Sequence, residues 1–129
     1  MKVMVMVKAT ALSETGAPPG AAALAAMERF NGDLVKAGIL LAAEGLQPSS
    51  RGKRMLFKGA ERHVLDGPFA ETRELVAGFW LWQVTSMEEA IEWLKRCPNP
   101  GPGDWVIEAR PVFETADFCD AARPAPRAI

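Results

Sequence analysis

Val76-Ala77-Gly78-Phe79-Trp80-Leu81-Trp82 is the stretch whose alternation decides the fold. Read with the two-residue period of a strand, one face carries Val76, Trp80 and Trp82, and the other carries Ala77, Phe79 and Leu81. Both faces are apolar, so both need cover. The run Val3-Met4-Val5-Met6-Val7 has the same character, with three valines on one face and two methionines on the other. Two such strands belong at the centre of a sheet.

Working outward, the other elements fall into order. Ala21 to Ala37 reads as a helix with Met27, Phe30, Leu34 and Ala37 along one stripe, stopped at Gly38. Leu12 to Gly20 before it reads as a loop, and Ile39 to Leu46 after it as a strand. Arg54 to Lys58 and Arg62 to Leu65 form a short hairpin about Gly59-Ala60. Ser86-Met87-Glu88-Glu89 has the spacing of a capping box and starts a second helix that ends near Arg96, before Pro98. Trp105 to Val112 is the last strand. The fold class is therefore α+β: an antiparallel sheet in the ferredoxin-like βαββαβ order, with an extra short hairpin. One domain spans residues 1–118, and residues 119–129, with Pro124 and Pro126, are expected to form a flexible tail.

In this arrangement both helices cover one sheet face and leave the other bare. An uncovered apolar patch of that size is an aggregation hazard. A second copy of the chain is the simplest cover, giving a homodimer with sheets packed face to face. The competing arrangement folds the hairpin at residues 54–65, or the tail, over that face within one chain. The last strand adds a complication: Glu108 and Arg110 share a face with Val106 and Val112, so charges stand on a sheet whose neighbours are apolar.

A formal net charge of -1 speaks against nucleic acid or an anionic membrane as a partner held by bulk electrostatics. The apolar N-terminal run is too short for a membrane span, and it lacks a signal-peptide pattern, so a cytoplasmic location is the default. Two cysteines fit that default, and Cys97 and Cys119 both read as unreactive thiols.

Candidate chemistry gathers in Asp66-Gly67-Pro68-Phe69-Ala70-Glu71-Thr72-Arg73-Glu74, a polar turn between two apolar runs. Asp66 reads first as a cap on its own turn, accepting the Phe69 N–H, and second as an acid or base. His63, the single histidine, stands three residues earlier; on a regular strand that separation puts it on the opposite face. No metal-ligand spacing, phosphate loop, nucleophile elbow or dinucleotide fingerprint occurs, so neither a metal nor a cofactor is expected. Arg54, Arg73 and Arg110 are candidates for holding a carboxylate or phosphate group.

These residues together resemble a known family. The run from Asp66 to Glu74 is similar to the signature of the DGPF branch of the YCII-related proteins. Phe30-Asn31 with Leu34-Val35-Lys36-Ala37-Gly38, and Glu44-Gly45-Leu46-Gln47-Pro48-Ser49-Ser50, resemble that family's first helix and following strand. Glu89-Ala90-Ile91-Glu92-Trp93 and Ile107-Glu108-Ala109-Arg110-Pro111-Val112 resemble its second helix and last strand. The resemblance implies a dimeric α+β barrel in a small cytosolic bacterial protein without an assigned reaction. It also implies, for the DGPF branch, an association with alternative sigma factors. Enzyme-like relatives carry a His–Asp pair. Asp66 matches the aspartate, but the first helix here has no histidine.

Two functional expectations follow. In one, a small and possibly anionic molecule binds beside the 66–74 turn, with Asp66 as proton acceptor or acid and Arg110, Glu108, Asn31, Arg54 and Arg73 around it. In the other, the chain is a non-catalytic dimeric accessory module in sigma-factor-linked regulation. The first requires Asp66 and Arg110 to converge. The second leaves Asp66 engaged at its turn and Arg110 neutralised by a carboxylate.

Overall fold

A computed structural model describes residues 1–99 and 101–118. The expectations placed on residues 119–129, Cys119 among them, lie outside the described residues. Ten elements follow in order: β1 (Lys2–Lys8), α1 (Ala11–Glu14), α2 (Ala21–Lys36), β2 (Leu40–Gly45), β3 (Lys53–Lys58), β4 (Glu61–Asp66), β5 (Val76–Gln83), α3 (Met87–Lys95), β6 (Ile107–Pro111) and α4 (Thr115–Phe118). Single 3₁₀ turns stand at Ser49–Arg51 and Thr72–Glu74.

Four strands form an antiparallel sheet in the order β2-β5-β1-β6, while β3 and β4 pair only with each other. The two doubly apolar strands are thus the central ones. The arrangement is compatible with a ferredoxin-like α+β fold. Val3 faces Trp82 and Val5 faces Trp80 across the central pair. These four side chains are buried with Phe30 and Leu34 of α2 and Ala90 of α3, so both helices pack on one face. Phe30 stands edge-on to Trp80, Trp82 and Trp93, with centroids 5.9, 6.2 and 6.4 Å away. That geometry suits the ring quadrupoles.

The helix ends are set by local chemistry. Gly38 takes φ +73° after α2. Its N–H donates to Val35 O while the Ile39 N–H donates to Leu34 O, which is the bonding of a Schellman motif. Ile39 is thereby delivered into the core against Leu34. Ser86 Oγ accepts the Glu89 N–H at 3.2 Å, as expected of the cap on α3. The Glu89 carboxylate departs from the capping-box pattern, because it takes the N–H and hydroxyl of Thr85.

Two expectations are corrected. The loop from Leu12 to Gly20 begins inside the one-turn helix α1, capped reciprocally by Thr10 and Ser13. The last strand starts at Ile107 rather than Trp105. On the helix-free face, Met4 stands opposite Leu81 and Arg110, and Met6 opposite Phe79 and Glu108. Met4, Met6, Phe79 and Leu81 are only half-buried. No described helix is long and apolar enough to cross a membrane.

Candidate functional site

The turn after β4 is built as a latch. The Gly67 N–H donates to Gly52 O at 3.0 Å, closing the base of the β3–β4 pair. A Cβ at position 67 would lie 1.8 Å from Ser49 O, so only glycine fits. Ser49 is the centre of the latch. Its N–H donates to Glu14 Oε2 at 2.9 Å, its hydroxyl donates to Glu14 Oε1, and its Oγ accepts the Phe69 N–H at 3.1 Å. The Arg54 guanidinium stacks 3.8 Å over the Phe69 ring. α1, the 49–51 turn, β3 and the signature turn are joined by these few contacts.

Asp66 is not the cap of its own turn, because the Phe69 N–H has gone to Ser49. Its carboxylate instead pairs with Lys53 Nζ at 2.6 Å, both side chains being well exposed. His63 pairs with Glu61 at 3.0 Å rather than with Asp66. The register sets Asp66 opposite Lys53 and His63 opposite Leu56, on alternate faces of the hairpin. A cavity of about 540 Å³ lies beside this turn, with Arg54 and Phe69 in its wall.

The larger feature lies elsewhere. A cleft of about 860 Å³ opens between α2 and the sheet, bounded also by residues 16–20, 45–48 and 101–105. Its cause is legible in residue sizes. The second half of α2 carries Phe30 and Leu34, which fill the space above the sheet. Its first six residues are Ala21-Ala22-Ala23-Leu24-Ala25-Ala26, and Ala22 and Ala23 cannot reach across. The sheet contributes Ala43 and Gly78 at the same place. Gly78 must be small, since a Cβ there would meet Glu44 O at 3.0 Å. Helix and sheet are therefore held apart at one end and left unfilled at the other.

Asn31 is the oriented polar group of this cleft. Its Oδ1 accepts from Trp80 Nε1 at 2.8 Å. An indole nitrogen only donates, so the amide orientation is determined and Nδ2 stands as a donor. Trp105, also in the cleft wall, has an indole N–H without a partner among the described residues. Among the described lining residues Glu44 is the single charged one, and its pairing with Phe79 sets its side chain on the helix-free face.

The six residues singled out from the sequence are thus dispersed. Asn31 lines the cleft, and Arg54 lies in the wall of the smaller cavity. Asp66 is on the hairpin, and Arg73 is exposed on the Thr72–Glu74 turn. Glu108 and Arg110 stand together on the helix-free face, 3.8 Å apart. Neither Asp66 nor Arg110 is in the wall of either of these two cavities. Sequence reasoning missed Ser49 and Glu14, which nothing local marks, and it missed the alanine run of α2 as the source of a void. Burial pushes the Cys97 thiol up from 9.0 to about 11, in keeping with an inert cysteine. Among the described residues no group of three or more His, Cys, Asp or Glu gathers to hold a metal.

An α+β domain with helices on one sheet face, a cleft beneath one of them and a latched turn at its side is the class these features define. The chain belongs to the YCII-related domain family, whose pattern matches residues 1–116. A relative is an uncharacterized protein of Rhizobium meliloti (strain 1021), 35% identical over 78 residues. That match covers 60% of this chain and 63% of the relative, so it spans less than two thirds of the relative's own length.

Proposed function

We propose that this protein is a small-molecule-binding domain of the DGPF branch whose ligand occupies the cleft between α2 and the sheet. The observation that carries the reading is a cleft of about 860 Å³ with one side-chain amide oriented within it. The volume suits a drug-sized molecule, and the mix of apolar wall and few polar groups is that of a ligand site. A lining with no Lys or Arg among the described residues favours a neutral, largely apolar ligand bearing one acceptor for Asn31 Nδ2. The alternative is the anionic ligand beside the 66–74 turn that the arginines suggest, for which the smaller cavity with Arg54 in its wall is the place. Glu44, the one carboxylate among those lining residues, stands with Phe79 on the opposite sheet face, so binding is better supported than acid–base turnover.

The test is binding of neutral aromatic probes followed by Trp fluorescence, with folding checked by circular dichroism. Asn31→Leu is expected to weaken binding about tenfold, the worth of one hydrogen bond. Asp66→Asn should leave it unchanged. Binding lost in the Asp66 variant and kept in the Asn31 variant would return the site to the turn.

The domain acts as a homodimer in this reading, joined through the face bearing Met4, Met6, Phe79 and Leu81 into an α+β barrel. Its support is an apolar face that no described helix covers. Light scattering is expected to give twice the chain mass at micromolar concentration, and a monomer would sink the idea. A separate observation favours the accessory-module reading with a sigma-factor-linked partner: Asp66 is engaged by Lys53, and Arg110 stands beside Glu108. The Asn31 measurement separates the two, because a module without a ligand shows no probe binding at all.

A further inference from the structure

The register of the four-stranded sheet orders its helix-free face into rows. One central row runs Glu44, Phe79, Met6, Glu108 across β2, β5, β1 and β6. The next row runs Ala42, Leu81, Met4, Arg110. Val3, Val5, Trp80 and Trp82 are buried beneath the helices, so the period of two sets these eight side chains on the other face. Each row is apolar in the middle and carries charge only at the sheet edges. The charges differ between the rows: two carboxylates in the first, one guanidinium in the second. Glu108 Oε2 and Arg110 Nε lie 3.8 Å apart, beyond hydrogen-bond reach, and both side chains are open to solvent.

We infer, building on the dimer proposed above, that its two-fold axis runs across the strands between these two rows, and that Glu108 of each chain pairs with Arg110 of the partner subunit. Face-to-face packing of two copies needs a two-fold axis in the plane between the sheets, and aligned strands leave it two directions, along them or across them. An axis along the strands, through the middle of the sheet, lays each row on its own copy and reverses the strand order. Glu44 then stands over the partner's Glu108 at two symmetric places, and Arg110 stands over the partner's Ala42. Like charges are set together and the arginine is covered without a carboxylate, and both arrangements are costly. An axis across the strands keeps the strand order and exchanges the rows. Phe79 then meets the partner's Leu81, Met6 meets the partner's Met4, and Glu108 meets the partner's Arg110 at two symmetric places. The usual inclination of about 30° between packed sheets displaces edge residues by about 4 Å, within an arginine's reach. Apolar side chains meet apolar ones in both arrangements, so the charges decide. The axis across the strands also sets Lys2 toward the partner's Lys8. Those residues stand at the ends of β1, Lys8 beyond the irregularity after Val7, where solvent weakens the repulsion.

The experiment is sedimentation of the full chain across a dilution series, for wild type, Glu108→Arg, Arg110→Glu, Glu44→Gln and an equimolar mixture of the first two variants. Circular dichroism checks the folding of each. Glu108→Arg and Arg110→Glu each oppose like charges at both contacts, so either dimer should dissociate about tenfold more readily than wild type. Mixing the two should restore the wild-type affinity, because a chain carrying two arginines then faces one carrying two glutamates. Glu44→Gln, opposite the partner's Ala42, should leave the affinity unchanged. A Glu108→Arg or Glu44→Gln dimer tighter than wild type is the result expected of the axis along the strands, and it overturns the register while leaving the dimer standing. A Glu108→Arg dimer equal to wild type, or a mixture no tighter than its components, overturns it as well. A wild type that stays monomeric overturns the register and the dimer together.

Discussion

Strand β5 and the β3–β4 hairpin are written in the same alphabet and meet opposite fates. β5 offers Phe79, Trp80, Leu81 and Trp82, and two of these are buried to within a few per cent. The hairpin offers Met55, Leu56, Phe57, Val64 and Leu65, each at least 45% exposed. The difference lies in connectivity rather than composition. α2 and α3 are each joined through a short link to the sheet that they cover. The hairpin leaves and returns at one point, Gly52 and Gly67, and its strand residues stay exposed. Apolar alternation in a strand states that cover is needed. It does not say which chain provides it.

Four measurements can break or sharpen that contrast. The largest effect belongs to Trp82→Ala, which should cost about 4 kcal/mol in urea denaturation, as for other buried aromatic truncations. Phe57→Ala, measured at dilutions where only monomer is present, should stay within about 0.5 kcal/mol. Equal costs at the two sites would erase the distinction. Next comes Gly67→Ala, where the added methyl collides with Ser49 O and the latch must shift. A loss of roughly 3 kcal/mol is expected, and a loss near zero would show that the contact is not needed. Third, Cys97 should alkylate about a hundredfold more slowly than a free thiol near pH 8, since its pKa lies two units above the ordinary value. The sign for stability follows from the same shift. The folded pKa is raised, so the neutral thiol's contribution is complete below about pH 9 and is lost as pH rises from 9 to 11. A fast thiol would mean that the α3 end opens as readily as the hairpin. The smallest effect is for Ser49→Ala, at roughly 1–2 kcal/mol, because Glu14 and the Phe69 N–H lose their shared partner. Amide exchange at Phe69 should accelerate with it as the hairpin base loosens.

Much of the architecture was legible because it is local. The alternation of Val3 to Val7 and of Val76 to Trp82 identified the two central strands. Gly38 marked the end of α2, and Ser86 the start of α3. Element order then supplied the neighbours. What escaped depends on residues far apart in the chain. Glu14 and Ser49 are 35 residues apart and meet only in the folded molecule. The sequence of α1 reads as loop because its cap uses Ser13 where a Glu or Gln would signal a capping box. The cleft escaped for another reason: it is a place where Ala22, Ala23, Ala43 and Gly78 converge and leave space, and absence of bulk has no motif. The six candidate residues were chosen for their chemistry one by one, and the fold sends only Asn31 to the cleft.

The contact between Gly67 and the Ser49 carbonyl has a consequence for descent. Glycine at 67 is demanded by the backbone it touches, whatever the protein binds. A descendant that had lost its ligand altogether would still have to keep that glycine to close the turn. That glycine therefore marks kinship in the shape of the turn, independently of what the protein does.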